Sequence, residues 1–475
     1  MALNSLTSTR VHHMSRSTGT VLTDRHLTVL EYAWRFYRKN SLGPLYQNIA
    51  RHTGISKAEL IDIFPHGLNS VFTWVGIPIQ SKDDGCKAMV SLDVEDLREV
   101  YFDHNGTTPL RDEVRDEMIR FLQDSRSYGN ASSAYDIGSQ AFDVIDQARR
   151  RVAAGIGVDP AAIFFTGSGS EANNLALKGI IENHPDGPGH IITTQVEHPS
   201  ILKVAAYFES QGHDVTYLPV QADGTLSAST VEDAIRADTR AVAIMAANNE
   251  IGTIYPIAEI GAICREKGIA FIVDAIQAVG KMPFALKDSG ISMLTLSGHK
   301  IGAPKGVGAI YVDPSITLAP QIHGGGQESG LRAGTENVLG IHAMGHAVEL
   351  AVKEITEHCK HLLDLQSYFL EQLEKVAPDA VINGSMEQRL PNNLSVGFKG
   401  IDSGSLLLSL NQIGVFVSAG SACSAGNDSY SHVLEAIGTK ASDYGTVRFS
   451  FGMTNSRADL DYLFEHLPEI LEGLK

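Results

Sequence analysis

A lysine follows an apolar stretch in the middle of the chain. Leu296-Ser297-Gly298-His299-Lys300 precedes a glycine-rich run from Gly302 to Gly308. Desolvation lowers the pKa of a lysine at the end of a buried strand, and the neutral amine can then form a Schiff base with a carbonyl compound. Ser297 and His299 can donate hydrogen bonds to a phosphate. Taken alone, the motif leaves an ordinary surface lysine as an equally good interpretation.

An aspartate ends another apolar strand 26 positions earlier, within Val273-Asp274-Ala275-Ile276-Gln277. A carboxylate there lies at the carboxyl edge of a parallel sheet, where α/β proteins bind their ligands. Pyridoxal phosphate (PLP) needs such a partner, because a protonated pyridine ring is a better electron sink. The alternative for Asp274 is a helix cap at the strand end. Asp274 and Lys300 together favour PLP chemistry.

Three further strand ends carry polar residues. The turn Thr166–Asn174 contains Gly169 and Ser170 and opens a helix, whose free N–H groups can hold a phosphate. It is neither a GxGxxG motif nor a Walker loop, since no lysine follows. His198 can stack on a flat ring and relay protons, although a lone histidine is more often structural. Asn249 can donate a hydrogen bond to a ring oxygen.

The elements around these residues alternate between short apolar strands and helices. A helix such as Ile257–Glu266 separates two of the strands, and this alternation predicts a mostly parallel sheet wrapped by helices. A long helix over Glu349–Glu374 and a smaller lobe of mixed strands and helices, from about Val376, are expected after the sheet. The predicted strands are Ile163–Phe165, His190–Thr193, Ala241–Ala246, Phe271–Val273 and Ala309–Val312.

In this order, the motifs resemble those of fold-type I PLP enzymes, specifically the cysteine desulfurases of the NifS and IscS kind, from about Tyr101 to Lys475. Tyr101–Pro109 resembles the entry strand of that family, and Ser418–Gly426 resembles its catalytic cysteine loop. Cys423 stands there among small residues, as a mobile nucleophile requires; a buried structural cysteine is the alternative. The resemblance implies an α/β PLP-dependent transferase with a mostly parallel large-domain sheet and a smaller α+β C-terminal lobe.

The resemblance also implies roles for individual residues. Lys300 would carry the cofactor, Asp274 would pair with its ring nitrogen, and His198 would stack over the ring. Arg448 would clamp the substrate carboxylate, a role suited to a bidentate guanidinium, with Asn130 nearby. The other cofactor contacts would be Gln277 and Asn249 at the ring oxygen, Gly169, Ser170, Ser297 and His299 at the phosphate, and Thr335 reaching a phosphate across a dimer interface.

The implied reaction converts L-cysteine to L-alanine, with a persulfide on Cys423 and a homodimer as the active form. The acceptor of the sulfur would be an iron–sulfur cluster assembly scaffold, a sulfur-relay protein or a tRNA thiolation protein. Other fold-type I enzymes, namely a selenocysteine lyase or a small-amino-acid aminotransferase, remain alternatives, and Cys423 argues against the aminotransferase. A regulatory scaffold with a vestigial site is the alternative without catalysis.

A separate block precedes the enzyme. We expect a disordered tail over residues 1–21, a small mainly helical domain over 22–90, a linker over 91–100 and the enzyme over 101–475. Helical spacing within the block is shown by Leu27, Leu30, Trp34 and Tyr37. Ser56 followed by Glu59 is a capping box that predicts a second helix through Ile63.

This block resembles the DsrC and TusE family of sulfur-relay proteins through Ile63–Gly67, Val75–Pro78 and Gly85-Cys86. Cys86 would then accept persulfide sulfur on a flexible arm. A helix-turn-helix over Ile49–Ser56 is the rival interpretation, but eight basic and six acidic residues from Asp24 to Val90 give a balance of only +2, which is thin for phosphate binding. The third interpretation is a docking module in which Cys86 takes no part in sulfur transfer.

Composition limits the partners and the compartment. The 475-residue chain carries a net charge of −17, which disfavours nucleic acid and anionic membranes as main partners. No apolar run approaches the ~20 residues of a membrane span. The cysteines Cys86, Cys264, Cys359 and Cys423 form no close pair, which fits a reducing cytoplasm and argues against a disulfide framework or a CxxC metal site. The serine-rich start could also be an organelle transit peptide.

Overall fold

The computed structural model describes residues 11, 15, 22–40, 43–44, 46–64, 68–75, 98–184, 187–284, 286–420, 431–440 and 443–474. Cys86 and Cys423 lie outside these residues, as do Pro65 and Gly67 of the N-terminal motif. The chain divides into two compact units. One comprises the described residues within Met1–Glu99, with Leu408–Val415 and Glu469–Lys475. The other comprises those within Val100–Leu407 and Phe416–Pro468.

In the described part of the N-terminal stretch, the helices with defined bounds are α1 (Asp24–Asn40), α2 (Tyr46–Thr53), α3 (Lys57–Ile63) and α4 (Leu68–Val75). The predicted capping box is confirmed, because Ser56 Oγ accepts from Glu59 N at 3.3 Å and Glu59 Oε2 accepts from Ser56 N at 2.9 Å. Gly54 turns the chain between α2 and α3 with φ of +69°, a conformation that glycine adopts without steric cost.

The helix predicted from the spacing of Leu27, Leu30, Trp34 and Tyr37 is present as α1, but its buried face is offset from this row of residues. Leu30 is buried as expected, but its buried companions are Val29, Ala33 and Phe36. Leu27 is 37% exposed, and Trp34 and Tyr37 are only half-buried. The prediction counted only large apolar residues, whereas a small alanine and a valine face the core, where α1 packs against α4.

A seven-stranded sheet forms the centre of the second unit, in the order β2-β8-β7-β6-β5-β3-β4. Neighbouring strands are parallel from β4 to β7, and β8 runs antiparallel to both β7 and β2. The mostly parallel sheet is therefore confirmed, as are all five predicted strands. Its strands are β2 (Ile163–Thr166), β3 (His190–Thr194), β4 (Asp214–Leu218), β5 (Thr239–Met245), β6 (Ala270–Asp274), β7 (Met293–Ser297) and β8 (Gly308–Val312).

Two hydrophobic cores sandwich this sheet. Alternate residues of a strand point to opposite faces, and in β5 Val242 and Ile244 enter one core while Ala241 and Ala243 enter the other. Helices cover both faces, which explains why the strands have few polar positions. These helices are α5 (Asp112–Gln123), α6 (Asp136–Ile156), α7 (Gly169–Glu182), α8 (Pro199–Ser210), α9 (Ala228–Ala234), α10 (Ile257–Lys267) and α11 (Val338–Lys353).

The prediction of one continuous helix over Glu349–Glu374 is wrong, because the helix is interrupted. The structure has two helices, α11 and α12 (Ile355–Val376), which are interrupted at Glu354. Glu354 adopts φ of −98° and ψ of 4°, and its carboxylate forms an ion pair with Arg111. Since every residue around the break is compatible with a helix, periodicity alone could not reveal it.

The smaller lobe contains a three-stranded antiparallel sheet with β10 at its centre, between β9 and β12. Its mixture of strands and helices agrees with the predicted α+β lobe. The short strand β1 (Val100–Tyr101) lies at the start of the second unit. The elements after α12 are β9 (Val381–Asn383), β10 (Asn393–Lys399), α13 (Ser403–Gln412), β11 (Val415–Phe416), α14 (His432–Ala436), β12 (Tyr444–Ser450) and α15 (Arg457–Leu474). Among the described residues, no helix has both the length and the apolar character needed to cross a bilayer.

Candidate active site

A cavity of about 210 Å³ lies at the carboxyl ends of the central strands. Side chains from separate strand ends converge there because parallel strands finish at the same edge of a sheet. Ten of the predicted site residues line it: Gly169, Ser170, His198, Asn249, Asp274, Gln277, Ser297, His299, Lys300 and Arg448. The convergence that the motifs predicted is therefore present in the fold.

Lys300 lies in a short 3-10 turn, Gly298–Lys300, that follows β7 directly. Its Nζ donates to the backbone oxygen of Gly106 at 2.7 Å and to that of Asn105. Both carbonyls belong to the loop after β1, which the turn also contacts through Thr108 N to His299 O at 2.8 Å. The entry segment of the enzyme thus holds the amine at the cavity.

Asp274 is the last residue of β6 and is only 6% exposed. Its Oδ2 accepts a hydrogen bond from Asn173 Nδ2 at 2.7 Å, and its Oδ1 accepts one from Ile276 N at 3.0 Å. Asn173 is fully buried on α7, and its own Oδ1 accepts from Thr295 Oγ1 at 2.6 Å. The orientation of the carboxylate is therefore fixed by an amide that is itself fixed by β7.

The second amide hydrogen of Asn173 connects Asp274 to His198. Asn173 Nδ2 also donates to Ser200 Oγ at 2.8 Å, and Ser200 Oγ lies 2.8 Å from His198 Nδ1. His198 Nδ1 accepts from Ser200 N at 3.1 Å, so the neutral ring carries its proton on Nε2. Burial lowers the pKa of His198, and the positive charges of Lys300 and His432 add to this, while Asp274 opposes it. Carboxylate, amide, hydroxyl and imidazole thus form one network.

The start of α7 provides an anion cradle. Ser168 caps the helix by accepting from Glu171 N at 3.1 Å, which leaves the N–H groups of Gly169 and Ser170 directed at the cavity. A Cβ at Gly169 would lie 2.3 Å from Ile276 Cδ1 and 3.1 Å from Ser297 Cβ. Glycine therefore lets the helix terminus approach the end of β7 closely, whereas a larger residue would require the Ile276 side chain to move.

Two further polar groups face the cradle. Ser297 is 4% exposed at the end of β7. His299 Nδ1 lies 3.1 Å from Thr107 Oγ1, and burial, followed by the charges of Lys300 and Lys305, lowers the pKa of His299 to about 4. At neutral pH the imidazole is uncharged, so it contacts an anion as a hydrogen-bonding group and not as a cation.

Gln277 and Asn249 also line the cavity, and both connect to Asn105. Gln277 Nε2 donates to Asn105 O at 2.9 Å, and Asn105 Nδ2 donates to Asn249 O at 3.1 Å. Gln277 Oε1 accepts from the buried amine of Lys281 at 3.3 Å. Burial, then the charges of Lys300 and Arg448, lowers the pKa of Lys281 to about 7.

Arg448 enters the cavity from β12 and is 1% exposed. Its Nη2 donates to Asp103 Oδ1 at 2.5 Å and its Nη1 donates to Asn249 O at 2.9 Å, whereas its buried Nε has no hydrogen-bond partner. Asp103 offsets part of the buried positive charge. An anionic ligand could use the remaining hydrogen-bonding capacity of this guanidinium.

Two predicted site residues lie elsewhere in this chain. Asn130 is exposed, and its Oδ1 accepts from Ser132 N at 2.9 Å in a local turn. Thr335 is also exposed and does not line the cavity. Their roles, like that of Cys423, stay predictions.

Residues 100–463 match the family described as Aminotransferase class-V. A cysteine desulfurase IscS of Dictyoglomus turgidum is 42% identical over 379 residues, which are 80% of this chain and 96% of the relative. A cysteine desulfurase IscS of Methanosarcina thermophila is 44% identical over 377 residues, covering 79% and 93%. A solved NifS-like protein superimposes with a TM-score of 0.74 at 38% identity, covering 79% of this chain and 100% of the other.

The chain belongs to the IscS/NifS family of cysteine desulfurases. The family uses PLP, and the cavity contains suitable groups for each part of that cofactor. Lys300 offers an amine for the aldehyde, and the buried carboxylate of Asp274 suits a protonated ring nitrogen. The start of α7 at Gly169 and Ser170, which lines the cavity, suits the phosphate.

Sequence reasoning overlooked the residues that orient this desulfurase site. Asn173 lies within the turn Thr166–Asn174, but the sequence motifs gave it no role. They gave no role to Asp103, Asn105 or Lys281 either. An asparagine three residues after Ser170 falls on the buried face of α7, toward the sheet, and a buried amide always needs partners. That spacing was the available signal for Asn173; no comparable local pattern indicates Lys281.

We predict that Asn173→Ala weakens retention of PLP, because Asp274 loses a charged hydrogen bond worth about 1.5–3 kcal/mol. This corresponds to roughly 10–100-fold weaker binding, measured by dialysis followed by absorbance of the bound cofactor. Asn183→Ala, at the exposed C-terminal end of the same helix, is the matched control and should retain PLP. Equal retention in both variants would show that Asn173 does not position Asp274.

Proposed function

We propose that the enzyme is a PLP-dependent cysteine desulfurase that converts L-cysteine to L-alanine and carries the sulfur as a persulfide on Cys423. The observation that supports this most directly is the convergence of Lys300, Asp274 and Arg448 in one cavity of a desulfurase fold. An amine, a buried carboxylate and a guanidinium are the groups needed to bind the cofactor and the α-carboxylate of an amino acid.

Bound PLP supplies an electron sink for the substrate carbon that loses its proton. The protein has to orient the substrate and move that proton. Arg448, steadied by Asp103, receives the α-carboxylate of L-cysteine. Lys300 Nζ, held at the cavity edge by the loop at Gly106, removes the α-proton and returns it. The uncharged imidazole of His198, which carries its proton on Nε2 because Nδ1 accepts from Ser200 N, would stack on the cofactor ring.

We assign sulfur removal to the Cys423 thiolate. The sulfur of Cys423 forms an S–S bond with the sulfur of L-cysteine while the bond between that sulfur and the β-carbon breaks. The β-carbon then receives a proton. One L-cysteine and one protein thiol therefore give L-alanine and one persulfide, with no external oxidant or reductant. A thiolate is required because the thiol itself is a poor nucleophile.

Cys423→Ala is expected to keep the visible absorbance of bound PLP and to lose at least about 99% of sulfide release from L-cysteine in the presence of a reductant, as for loss of an essential nucleophile. Cys264→Ala is the matched control, because burial raises the pKa of this core thiol to about 12 and removes it from nucleophilic chemistry. Sulfide release at the wild-type rate by Cys423→Ala would refute the assignment.

We also propose that two copies of the chain form the active enzyme. A run of exposed large apolar side chains extends over α5, α6 and their connection: Ile119, Leu122, Tyr128, Tyr135 and Phe142, which are 45%, 61%, 76%, 59% and 57% exposed. Contiguous exposed apolar surface marks interaction sites. The exposed Thr335, which resembles a residue that reaches the phosphate of a second copy, supports a second copy as the occupant.

Phe142→Asp should therefore lower the mass in solution from two chains to one, because a charge would be buried in the interface. Retention of PLP should fall with it, since Thr335 of the second copy would be lost. Leu363→Asp, which adds the same charge at a side chain that is 49% exposed on α12, is the control. Light scattering after size exclusion measures the mass, and a dimeric Phe142→Asp would contradict the proposed interface.

For the N-terminal block, we propose a DsrC/TusE-like relay in which Cys86 receives sulfur from Cys423. The motifs Ile63–Gly67 and Gly85-Cys86 and the mainly helical structure of the described residues from α1 to α4 support this assignment. Tethering would raise the effective concentration of the acceptor thiol to about millimolar. The sulfur would continue to an iron–sulfur scaffold, another sulfur-relay protein or a tRNA thiolation protein. We place the protein in a reducing cytoplasm, which the free thiols of Cys264 and Cys359 fit.

Mass spectrometry of the peptides after turnover should find an added sulfur atom on Cys86 as well as on Cys423. In Cys423→Ala the label on Cys86 should disappear, whereas in Cys86→Ala the label on Cys423 should remain. A sulfur-free Cys86 beside a fully loaded Cys423 would contradict the relay and leave docking as the role of the block.

A further inference from the structure

A second polar cluster lies between α5 and α11. Glu117 of α5 and His342 and His346 of α11 each offer one ligand atom, and these atoms all lie within 4.8 Å of one another. His346 follows His342 by four residues, which places both imidazoles on the same helix face. Among the described residues, no other group of three acidic, histidine or cysteine side chains has this geometry.

The protonation states suit a metal. Burial, together with the charges of the neighbouring histidine and Arg151, lowers the pKa of His342 to about 4, and burial followed by Arg151 also lowers that of His346. For Glu117, burial raises the pKa, but the hydrogen bond from Arg120 and the charge of that guanidinium oppose it, and the pKa is lowered overall. At neutral pH the cluster thus offers two uncharged imidazoles and one carboxylate, the forms that metals bind.

One of these groups also lacks a protein partner. His342 Nδ1 is inaccessible to solvent and forms no hydrogen bond. Leaving a buried ring nitrogen unpaired is costly, and the other ring neighbours do not compensate for it. Phe121 lies 5.5 Å and His346 4.7 Å from the His342 ring, measured between ring centroids.

We propose that Glu117, His342 and His346 bind a divalent transition-metal ion, with Zn²⁺ as the best match. Two imidazoles and one carboxylate make up a known zinc ligand set, with bonds of about 2.0–2.2 Å. Tetrahedral bonds of that length separate ligand atoms by about 3.4 Å, so the side chains need only small rotations. The remaining coordination position is left for water or an external ligand.

The surrounding charges do not prevent binding. Arg120 donates to Glu117 at 3.3 Å through Nε and at 2.5 Å through Nη2, but its side chain is 64% exposed and a carboxylate has lone pairs for both partners. Arg151 is paired with Glu349 at 3.1 Å. A bound ion would connect α5 to α11 and so stiffen the helix that carries Ile119 of the proposed dimer surface.

Cobalt is the probe for this site, because four-coordinate Co²⁺ gives a visible ligand-field spectrum and binds as Zn²⁺ does. Holoenzyme without L-cysteine or thiol reductants, both of which chelate metals, is titrated with Co²⁺ and then with Zn²⁺ as competitor. We expect one cobalt per chain, displaced by zinc, and a melting temperature that rises with zinc concentration. Glu117→Gln and His346→Ala should weaken cobalt binding by about tenfold or more.

Control variants test whether cobalt binds at Glu117, His342 and His346 or elsewhere in the protein. His466→Ala, a histidine on α15 outside the cluster, should bind cobalt as the wild type does. Cys423→Ala tests whether the metal instead binds the catalytic thiol. Unchanged affinity in both Glu117→Gln and His346→Ala, or loss of the spectrum only in Cys423→Ala, would overturn the proposal. Because Glu117→Gln preserves the shape of the side chain, misfolding cannot account for its effect if its circular dichroism and PLP content are unchanged.

Discussion

The buried hydrogen-bond network from Asp274 to His198 is the constraint on which the site depends. A carboxylate that is 6% exposed is costly to bury unless its oxygens have donors. Asn173 supplies one donor and, through Ser200, uses its other hydrogen to fix the imidazole. A single amide on α7 therefore sets the orientation of two groups that line the cavity, the carboxylate of Asp274 and the imidazole of His198.

The fold turns this local network into a site. The ends of β5, β6 and β7 finish at one edge of the sheet, and the start of α7 approaches them because Gly169 has no side chain. The loop after β1 closes the other side, where its carbonyls accept from Lys300 and Gln277. Residues that are as far apart in the chain as Asn105 and Arg448 thus share one cavity of about 210 Å³.

The sequence was informative where chemistry depends on local pattern. Apolar runs followed by Asp274, Lys300 or His198 predicted both the strands and the edge at which they end. Interactions between distant segments were not predictable, because no spacing links Asn173 to Ser200 or Asp103 to Arg448. The offset stripe of α1 and the break at Glu354 have a similar origin: packing against other elements overrides the local preference.

The buried amine of Lys281 shows how such hidden partners affect the chemistry. Its pKa of about 7 follows from burial first and then from the charges of Lys300 and Arg448, and the same repulsion acts in return on Lys300. Between about pH 10 and pH 7, this lysine binds a proton in the unfolded chain but stays neutral in the folded protein. The free energy of unfolding therefore decreases as the pH falls through this range. Lys281 also donates to Gln277, which contacts the carbonyl that accepts from Lys300. Protonation of one buried group is thereby coupled, through Gln277 and Asn105, to the amine at the centre of the site.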